Sequence, residues 1–313
     1  MQKSIVVVGS LNLDLVARVN HLPARGETIF GRDFKTYCGG KGANQAVALA
    51  RLGAHVSMIG KLGSDAFAEQ LRNGLEESGV DSTGVTSTGG SSGTALITTS
   101  AEGDNTIVVI PGANDALLPE DIDRHRDKIE AASMVLALLE IPRATTEHLA
   151  LVVRAAGVPF LLDPAPAYAL SSRVLESVSW LTPNESETKT LLGLDPAAES
   201  PYEPHTCAER LIALGARNVI LKLGARGVYM FGRDIDGAYI DGFPVNAVDS
   251  TAAGDAFNGA FAFAVAQCGM SPKEAAEFAC GAAALSVTRP GAQASMATME
   301  ECESFLDLRR ASR

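Results

Sequence analysis

The chain has 313 residues, of which 46% are hydrophobic and 20% charged, as is ordinary for a soluble globular protein with a sizeable core. Its formal net charge of −11 at pH 7 argues against a nucleic-acid-binding function, because such proteins normally carry a basic patch. No stretch approaches the about 18 uninterrupted apolar residues of a membrane-spanning helix, so no membrane association is predicted.

Strands and helices alternate along most of the chain. Strands are predicted at 5–8, 56–59, 132–139, 158–162, 178–181 and 219–223, and helices at 42–52, 65–78, 145–156, 204–214, 254–267 and 272–287. Such alternation predicts an α/β fold with three layers, α/β/α, in which helices cover both faces of a mainly parallel central sheet. With no internal repeat or low-complexity linker, residues 1–313 are predicted to form one domain.

Two segments, at about 12–35 and 93–112, break this alternation. They carry alternating or β-branched residues joined by turns, and the Glu-Gly-Asp-Asn run at 102–105 suits a hairpin. They predict a small antiparallel β lid that projects from the main sheet and excludes water from a reaction. An ordinary edge hairpin is the alternative interpretation.

The five cysteines are odd in number, far apart and form no Cys-x-x-Cys pair. This pattern favours buried thiols in a reducing cytoplasm over disulfides or a zinc site, and predicts a cytoplasmic protein. The residues are Cys38, Cys207, Cys268, Cys280 and Cys302.

Polar residues follow the first predicted strand. Asn12 and Asp14 lie at its carboxyl end, where open α/β sheets place their ligands, and an amide with a carboxylate suits a polyhydroxylated molecule. Turn formation is the alternative role for both. Glu140 likewise follows an apolar strand, although a single strand-end Glu carries little weight by itself.

A glycine-rich turn precedes the first predicted helix, in the run Cys-Gly-Gly-Lys-Gly-Ala-Asn-Gln-Ala at 38–46. Three glycines in four residues let a small polar ligand reach the backbone, while Lys41 and Asn44 offer hydrogen bonds. The run is not a Walker phosphate loop, because Lys41 is followed by Gly. It is not a dinucleotide-binding Gly-x-Gly-x-x-Gly motif either, because Gln45 takes the last position. A structural turn is the alternative.

Two later strands also end in polar loops. Asn184 and Glu187 form an Asn-x-x-Glu pattern in which Glu187 can hold magnesium through water, or in which both simply cap a helix. The loop 222–227, Lys-Leu-Gly-Ala-Arg-Gly, carries paired glycines suited to contacting a nucleotide, with a plain β-turn as the alternative.

The run at 248–259, Val-Asp-Ser-Thr-Ala-Ala-Gly-Asp-Ala-Phe-Asn-Gly, is the most informative in the chain. Ser, Thr and Asp before an apolar segment begin helices, and the small residues Ala252, Ala253 and Gly254 leave the first-turn N–H groups open to an anion. Asp255 then lies beside the expected phosphate position. The pattern predicts phosphoryl transfer, whereas a helix cap is the alternative role of Asp255.

Taken together and in order, these motifs resemble those of the ribokinase-like (PfkB) sugar kinase family over essentially the whole chain. Residues 39–46 and 249–255 resemble the two diagnostic motifs of that family. The runs Gly-Ser-Leu-Asn-Leu-Asp at 9–14 and Thr-Arg-Pro-Gly-Ala-Gln-Ala-Ser at 288–295 are similar to its ribokinase branch in particular.

The resemblance implies ATP-dependent phosphorylation of D-ribose at its 5-hydroxyl. It implies that Asp255 is the base and that Ala252, Ala253 and Gly254 form the anion hole. The implied sugar-binding residues are Asn12, Asp14, Gly40, Lys41, Asn44, Glu140 and Asp255. The implied nucleotide-binding residues are Asn184, Glu187, Lys222, Leu223, Gly224, Ala225, Arg226, Gly227, Gly254 and Cys280.

The resemblance also implies Mg²⁺, held by Glu187 through water, and an activating monovalent cation, K⁺, beside the anion hole. The implied K⁺ ligands are Asp249, Ser295 and carbonyls near Thr251, Ser286, Arg289 and Gly291. A homodimer formed through the lid edges is a further implication.

Three positions depart from the family pattern. Ser250 stands where Thr is common, Lys222 where ribokinases often carry a small hydroxyl residue, and Cys280 where a larger polar residue is usual.

Two kinds of alternative function stay open. The acceptor can instead be 2-deoxyribose, fructose, a nucleoside or a keto-deoxy sugar acid. A non-catalytic sugar-binding sensor is the alternative of a different class, and the presence of Asp255 argues against it.

Overall fold

The computed structural model describes residues 3–195 and 203–311, which form thirteen strands and eleven α-helices. The strands are β1 Ile5–Val8, β2 Asn12–Arg18, β3 Asp33–Gly39, β4 Val56–Leu62, β5 Asp81–Ser87, β6 Gly93–Thr99, β7 Asn105–Ile110, β8 Met134–Leu138, β9 Phe160–Asp163, β10 Trp180–Leu181, β11 Asn218–Lys222, β12 Val228–Gly232 and β13 Ile235–Ile240. The helices are α1 Lys41–Arg51, α2 Ala66–Glu77, α3 Pro119–Arg124, α4 Arg126–Ala131, α5 Arg143–Ala156, α6 Ser172–Leu175, α7 Glu185–Leu191, α8 Pro204–Ala213, α9 Ala253–Ala266, α10 Pro272–Ser286 and α11 Met299–Ala311.

Nine strands pair into one sheet in the order β13-β12-β11-β10-β9-β8-β1-β4-β5. The pairs from β11 to β5 are all parallel, whereas β12 and β13 add antiparallel pairs at one edge. The carboxyl ends of the parallel strands therefore share one edge of the sheet. The predicted mainly parallel sheet is confirmed.

Helices cover both faces of this sheet, as the sequence predicts. Every side chain of β1 is fully buried, and Ile5 and Val7 pack into one apolar cluster while Val6 and Val8 pack into the other. The first cluster includes side chains of α1, α2, α9, α10 and α11, and the second includes side chains of α3, α4, α5, α6 and α8. Burying one such aliphatic side chain contributes about 1.5–3 kcal/mol, so the strand is held from both sides.

The remaining four strands form a smaller sheet in the order β3-β2-β6-β7. Two antiparallel pairs, β2–β3 and β6–β7, are joined by a parallel pairing of β2 with β6. The turn between β6 and β7 spans 100–104 and includes most of the predicted hairpin turn. This sheet, which we call the lid sheet, occupies the two segments that interrupt the strand–helix alternation.

Several elements escape the sequence prediction. β5 is rich in Ser, Thr and Gly rather than in strand-forming apolar residues, and β12 and β13 form an extra edge hairpin. A third late helix, α11, follows the two predicted at 254–267 and 272–287, and the sequence analysis did not predict it. Its buried stripe is narrow, since Cys302 and Leu306 are its buried apolar side chains among the described residues.

Within residues 3–195 and 203–311, none of the helices combines the length and the apolar character needed to cross a bilayer.

Candidate active site

Polar side chains gather at the carboxyl edge of the main sheet. Asn12 follows β1, Glu140 follows β8 and Asn184 follows β10, while Asp163 ends β9 and Lys222 ends β11. Adjacent parallel strands bring these ends together, which is the usual location of ligand sites in open α/β sheets. The structure thus places at one edge most of the strand-end residues that the sequence singles out.

The glycine turn brings the start of α1 against the end of β1. Gly40 has φ +87°, a left-handed conformation that favours glycine, and a Cβ there would lie 2.7 Å from the backbone nitrogen of Asn12. A Cβ on Gly42 would lie 2.7 Å from the backbone nitrogen of Ser10. These glycines are therefore required for close backbone approach, and this approach sets the direction of α1.

Asp255 lies in the first turn of α9 and faces α1. Its Oδ2 accepts a hydrogen bond from Asn44 Nδ2 at 2.9 Å, and its Oδ1 accepts one from Gln45 Nε2 at 3.1 Å. Asp255 is 3% exposed, and no ion pair of the described residues includes it. Burial raises the pKa of Asp255 above its ordinary value, while the Lys41 ammonium opposes this shift. The Asp255 carboxylate, in turn, is the main cause of a raised pKa at Lys41.

The backbone before Asp255 supplies free donors. Ala252 has φ +59°, and its carbonyl accepts from Ala256 at 2.9 Å, while the N–H of Ala253 donates to the Ser250 carbonyl at 3.3 Å. The N–H groups of Gly254 and Asp255 have no acceptor among the described residues. A helix N-terminus with two free donors is suited to binding an anion. Of the three predicted anion-hole residues, Ala253 uses its N–H internally.

The side of the site nearest the lid sheet is built around Asn12 and Asp14. Asn12 is the first residue of β2 and pairs with Gly39 and Gly93. Its Oδ1 accepts a hydrogen bond from Asn114 Nδ2 at 2.8 Å, so its own amide nitrogen stays available as a donor.

The Asp14 carboxylate lies against Gly39, where a Cβ would be 2.8 Å from its Cγ. Burial, followed by the negative charges of Glu140 and Asp255, raises the pKa of Asp14 to about 7. Glu140 completes this side. Its Oε2 accepts from Ser10 Oγ at 2.6 Å and from the backbone N–H of Lys41 at 3.3 Å. The charges of Glu140 and Asp255 therefore both act on Asp14, with Lys41 as a nearby cation.

The opposite side of the site is formed by α7 and the loop 222–227. Asn184 and Glu187 form a reciprocal capping box at the start of α7, so the helix-capping interpretation is confirmed. Asn184 also forms a bridge with Lys222, and the Arg226 guanidinium donates to Glu185 at 2.7 Å. Residues Gly224–Arg226 form one turn of 3₁₀ helix, flanked by the buried Leu223 and by Gly227 with φ +90°.

Lys222 and Cys280 are two of the three departures from the family pattern. Lys222 Nζ donates to Asp163 Oδ1 at 2.9 Å. Cys280 lies on α10 and is 6% exposed, and burial, followed by the charges of Glu277 and Asp241, raises its pKa to about 12. Asp241 also lies close to Gly227, where a Cβ would be 2.7 Å from the Asp241 carbonyl carbon. The Gly227 end of the loop therefore packs against the backbone at 240–242.

The predicted cation ligands divide into two sets. Asp249 Oδ1 accepts from the Thr251 N–H and its Oδ2 from the Gly291 N–H, both at 2.9 Å, so these three residues lie together. The backbone N–H of Asp249 bonds the carbonyl of Val287, which directly follows Ser286. In contrast, the Ser295 hydroxyl donates to Ala292 and the Arg289 guanidinium pairs with Glu301.

Partial burial raises the pKa of Asp249, but its hydrogen bonds outweigh this and hold it below the ordinary value. Asp249 is therefore ionised at neutral pH. For magnesium, the described residues contain no cluster of three or more His, Cys, Asp or Glu side chains arranged to hold a metal ion. A Mg²⁺ ion with one carboxylate partner would depend on water and phosphate oxygens, which are ligands it prefers.

Three residues of the site escaped the sequence analysis: Gln45, Asp163 and Asn114. Asp163 could have been identified, because it ends a predicted strand of the parallel sheet. Gln45 was used only to exclude a dinucleotide motif, and Asn114 follows the lid sheet with no motif of its own. Their roles depend on contacts across 118, 210 and 102 residues of sequence, which no local pattern reveals.

A family model described as pfkB family carbohydrate kinase matches residues 2–299. The ribokinase of Bacillus subtilis is 40% identical over 305 residues, covering 97% of this chain and 99% of that protein. The deoxyribokinase of Salmonella typhimurium is 37% identical over 309 residues, with coverage of 97% and 99%. A solved structure of Arabidopsis thaliana ribokinase complexed with ribose and ATP has a TM-score of 0.89 at 33% identity, covering 98% of this chain and 99% of that chain.

The family match spans residues 2–299, a range that includes both motifs, at 39–46 and 249–255. These similarities confirm the resemblance and the ribokinase-like α/β architecture that the sequence predicts. The chain therefore belongs to the pfkB family of carbohydrate kinases.

Proposed function

We propose that the protein transfers the γ-phosphoryl group of ATP to the 5-hydroxyl of D-ribose, with residues 1–313 acting as one kinase domain. The observation that carries this proposal is the position of the buried Asp255 carboxylate beside the free N–H groups of Gly254 and Asp255. Further support comes from relatives named ribokinase that match nearly the full length. The Arabidopsis ribokinase of similar fold is complexed with both ribose and ATP.

In this proposal Asp255 is the base. Phosphoryl transfer passes through a loose transition state, so catalysis depends mainly on positioning and on stabilising charge. Asn44 and Gln45 hold the carboxylate in one orientation, and it accepts the proton of the hydroxyl as the new oxygen–phosphorus bond forms. The free N–H groups of α9 stabilise the charge that builds on the transferring phosphoryl oxygens.

The sugar is proposed to bind to Asn12, Asp14, Gly40, Lys41, Asn44 and Glu140. Asn12 offers an amide donor and Asp14 offers acceptor oxygens. Gly40 lets the start of α1, which carries Lys41 and Asn44, pack against the end of β1. Asn44 Oδ1 is buried without a hydrogen-bond partner in the described structure. A buried unpaired acceptor is costly, and a substrate hydroxyl would satisfy it.

The nucleotide is proposed to lie against Asn184, Glu187, Gly254, Cys280 and the loop 222–227. Glu187 would hold Mg²⁺ through water, and the ion supplies charge neutralisation to the phosphates when bound. One oxygen of Glu187 already accepts the Asn184 N–H at 2.7 Å, which leaves the other oxygen for a magnesium-bound water.

We further propose an activating K⁺ site near Asp249, with Thr251, Ser286, Arg289, Gly291 and Ser295 as the other candidate ligands. Asp249 fits, because it is ionised and each of its oxygens accepts only one hydrogen bond in the described structure. Replacing Asp249 with Asn is expected to reduce the stimulation of kcat by K⁺ relative to Na⁺. Ribose affinity, measured by calorimetry, is expected to stay unchanged, and full K⁺ stimulation in the variant would contradict this site.

We propose that two copies pair through the lid sheet. Every residue of its edge strand β7 is exposed, including Ile107, Val108, Val109 and Ile110 at 41–59%. An apolar edge strand of this kind is a pairing surface unless it is covered.

All five cysteines are free thiols, which supports a reducing cytoplasmic location.

A coupled assay of ADP release tests the proposal. With MgATP and K⁺, D-ribose is expected to give the highest kcat/KM in a panel of 2-deoxyribose, fructose, a nucleoside and a keto-deoxy sugar acid. The 37% identical deoxyribokinase makes 2-deoxyribose the second candidate acceptor. Higher kcat/KM with another sugar would replace ribose as the acceptor, whereas sugar binding without any ADP release would support the sensor alternative.

The pH dependence of the KM for ribose tests the role of Asp14. Its pKa of about 7 means that it is mostly protonated at pH 6 and loses acceptor capacity for sugar hydroxyls. The KM for ribose is therefore expected to rise about tenfold from pH 8 to pH 6, in proportion to the lost ionised fraction. Asp14→Asn is expected to have a high KM that no longer changes with pH in this way. A pH-independent KM in the wild type would contradict the assignment.

A further inference from the structure

A single amide group links two buried carboxylates at the centre of the site. Gln45 Nε2 donates to Asp255 Oδ1 and to Asp163 Oδ2, each at 3.1 Å. The other oxygen of Asp163 accepts from Lys222 Nζ at 2.9 Å. The side chain of Asp163 is 2% exposed and that of Lys222 is 14% exposed. Four side chains therefore form one continuous buried chain of hydrogen bonds, from Lys222 through Asp163 and Gln45 to Asp255.

The cationic end of this chain lies at the N-terminus of α9. A Cβ built on Gly254 would lie 3.3 Å from Lys222 Nζ. The ammonium is thus beside the residue whose N–H group is free to bind an anion. The base and this cation come from opposite sides of the site, since Asp255 faces α1 and Lys222 ends β11.

We infer that Asp163 and Gln45 are positioning residues that hold the Lys222 ammonium and the Asp255 carboxylate at a fixed separation across the reacting groups. This inference rests on the proposed kinase function. Lys222 is placed to contact the oxygens of the transferring phosphoryl group. Asp255 takes the proton as the sugar oxygen–phosphorus bond forms and the bond from γ-phosphorus to the bridging oxygen of ADP breaks.

The charges in this region favour the arrangement. Asp163 and Asp255 are two close carboxylates, and two cations, Lys41 and Lys222, accompany them. The bridging amide uses both of its hydrogens, one for each carboxylate, which requires an accepting oxygen on both. Removing any member leaves a buried polar group unpaired, and this penalty exceeds the loss of one hydrogen bond. The chain therefore has one strongly preferred geometry.

The charge of Asp163 also acts on the base. Its negative charge raises the pKa of Asp255, in the same direction as burial. The groups that face Asp255 or influence its ionisation are Lys41, Asn44 and Gln45 of α1, Asp163 of β9 and Asp14 of β2. Replacing Asp163 with the isosteric Asn removes one of the two negative neighbours without changing the others.

Kinetics of Asp163→Asn test the inference. We expect kcat with ribose to fall about 10- to 100-fold, because small displacements of reacting groups have effects of this size. The acid limb of the kcat–pH profile is expected to shift to lower pH, since the pKa of Asp255 loses a charge that raises it. The Kd of ribose is expected to stay within about twofold, as expected when the interaction that is lost acts in the transition state.

A second buried Lys–Asp pair provides the matched control. Lys61 Nζ lies 2.8 Å from Asp121 Oδ1, with side chains 11% and 6% exposed, and its position between β4 and α3 is outside the site. Asp121→Asn is expected to lower the melting temperature without changing kcat or its pH profile. Equal behaviour of the two variants, with lower stability and unchanged kinetics, would show that the Lys222–Asp163 pair is only structural.

Two further variants keep the test decisive if Asp163→Asn folds poorly. Gln45→Met interrupts the chain without changing any charge, and we expect kcat to fall while Lys222 and Asp163 stay paired. Lys222→Gln combined with Asp163→Asn removes the buried charges together, and the loss in kcat is expected to be smaller than the product of the two single losses. Fully multiplicative effects, or a Gln45→Met variant with wild-type kcat, would overturn the inference. An inactive wild-type protein would instead refute the proposed function.

Discussion

Replacing Asp255 with Asn is expected to lower kcat by about 10²–10⁴-fold, the usual effect of removing a general base. The amide has nearly the same shape as the carboxylate but cannot accept the proton of the sugar hydroxyl. It also turns an NH₂ group toward Asn44 Nδ2 or Gln45 Nε2, both of which are donors. Steady-state ADP release with saturating ribose and ATP measures the loss.

Binding measurements separate this chemical effect from misfolding. Ribose should still bind to the Asp255→Asn variant, because Asn12, Asp14 and Glu140 are unaltered. Isothermal titration calorimetry should therefore detect the heat of ribose binding to this variant. Asp255→Ala should show a similar loss of kcat and, in addition, lower stability than the Asn variant, because it leaves a cavity. Turnover near the wild-type value in the Asn variant would refute the role of Asp255 as the base.

Gly93→Ala is expected to raise the KM for ribose about 10- to 100-fold, because the added methyl group would displace the Asn114 amide that orients Asn12. A Cβ at this position would overlap Asn12 Oδ1 and Asn114 Nδ2 and would lie 2.6 Å from the Leu11 carbonyl oxygen. The hydrogen bond between the two asparagines cannot persist at 2.8 Å in that case. Overpacking of this kind costs about 1–3 kcal/mol of folding free energy, which thermal unfolding would detect.

Gly89→Ala is the matched control for this variant. Gly89 lies four positions earlier, and a Cβ there would have no atom within 4 Å. Its KM for ribose should equal that of the wild type, and its stability should differ by no more than about 0.5 kcal/mol. If Gly93→Ala retains both normal stability and a normal KM, the hydrogen bond between Asn12 and Asn114 does not position the sugar.

The fold was predictable from the sequence wherever a local pattern determines the structure. Apolar runs such as 5–8 have strand length and end in polar residues, and the helix from Ala253 to Ala266 follows small residues and a carboxylate. β5 could not be predicted, because it is held by pairing with β4 rather than by its own Ser, Thr and Gly residues. α11 was missed because its apolar stripe is too narrow to produce a clear helical period.

The sequence predicted several individual residues of the candidate site but not the hydrogen bonds that join them. Asp255, Asn44 and Lys222 belong to motifs that the sequence displays directly. Asp163 and Gln45 join them only because β9 lies between β8 and β10 and because α1 packs beside α9. Such links depend on strand order and helix packing, which local spacing does not encode.

The strong negative charge of the chain raises the question of how a polyanion is bound. The sequence has a net charge of −11, yet the site edge carries Lys222 beside the free N–H of Gly254, and Lys41 under the influence of Asp255. Lys222 is held by its ion pair with Asp163, and the charge of Asp255 stabilises the Lys41 ammonium. Local placement of cations, rather than overall charge, would then decide where phosphate binds.

The junction between the two sheets couples sugar binding to the position of the lid sheet. Asn12 begins β2 and pairs with Gly39 at the end of β3 and Gly93 at the start of β6, so the lid strands run without a linker into the groups proposed to hold the sugar. A ligand that binds Asn12 and Asp14 would therefore also stabilise the position of β2, and with it the lid sheet. A sugar analogue that lacks those contacts would leave the lid sheet less firmly positioned, and water could then enter and attack ATP in place of the sugar. The rate of ATP hydrolysis without sugar phosphorylation would therefore measure how well an acceptor fits the site.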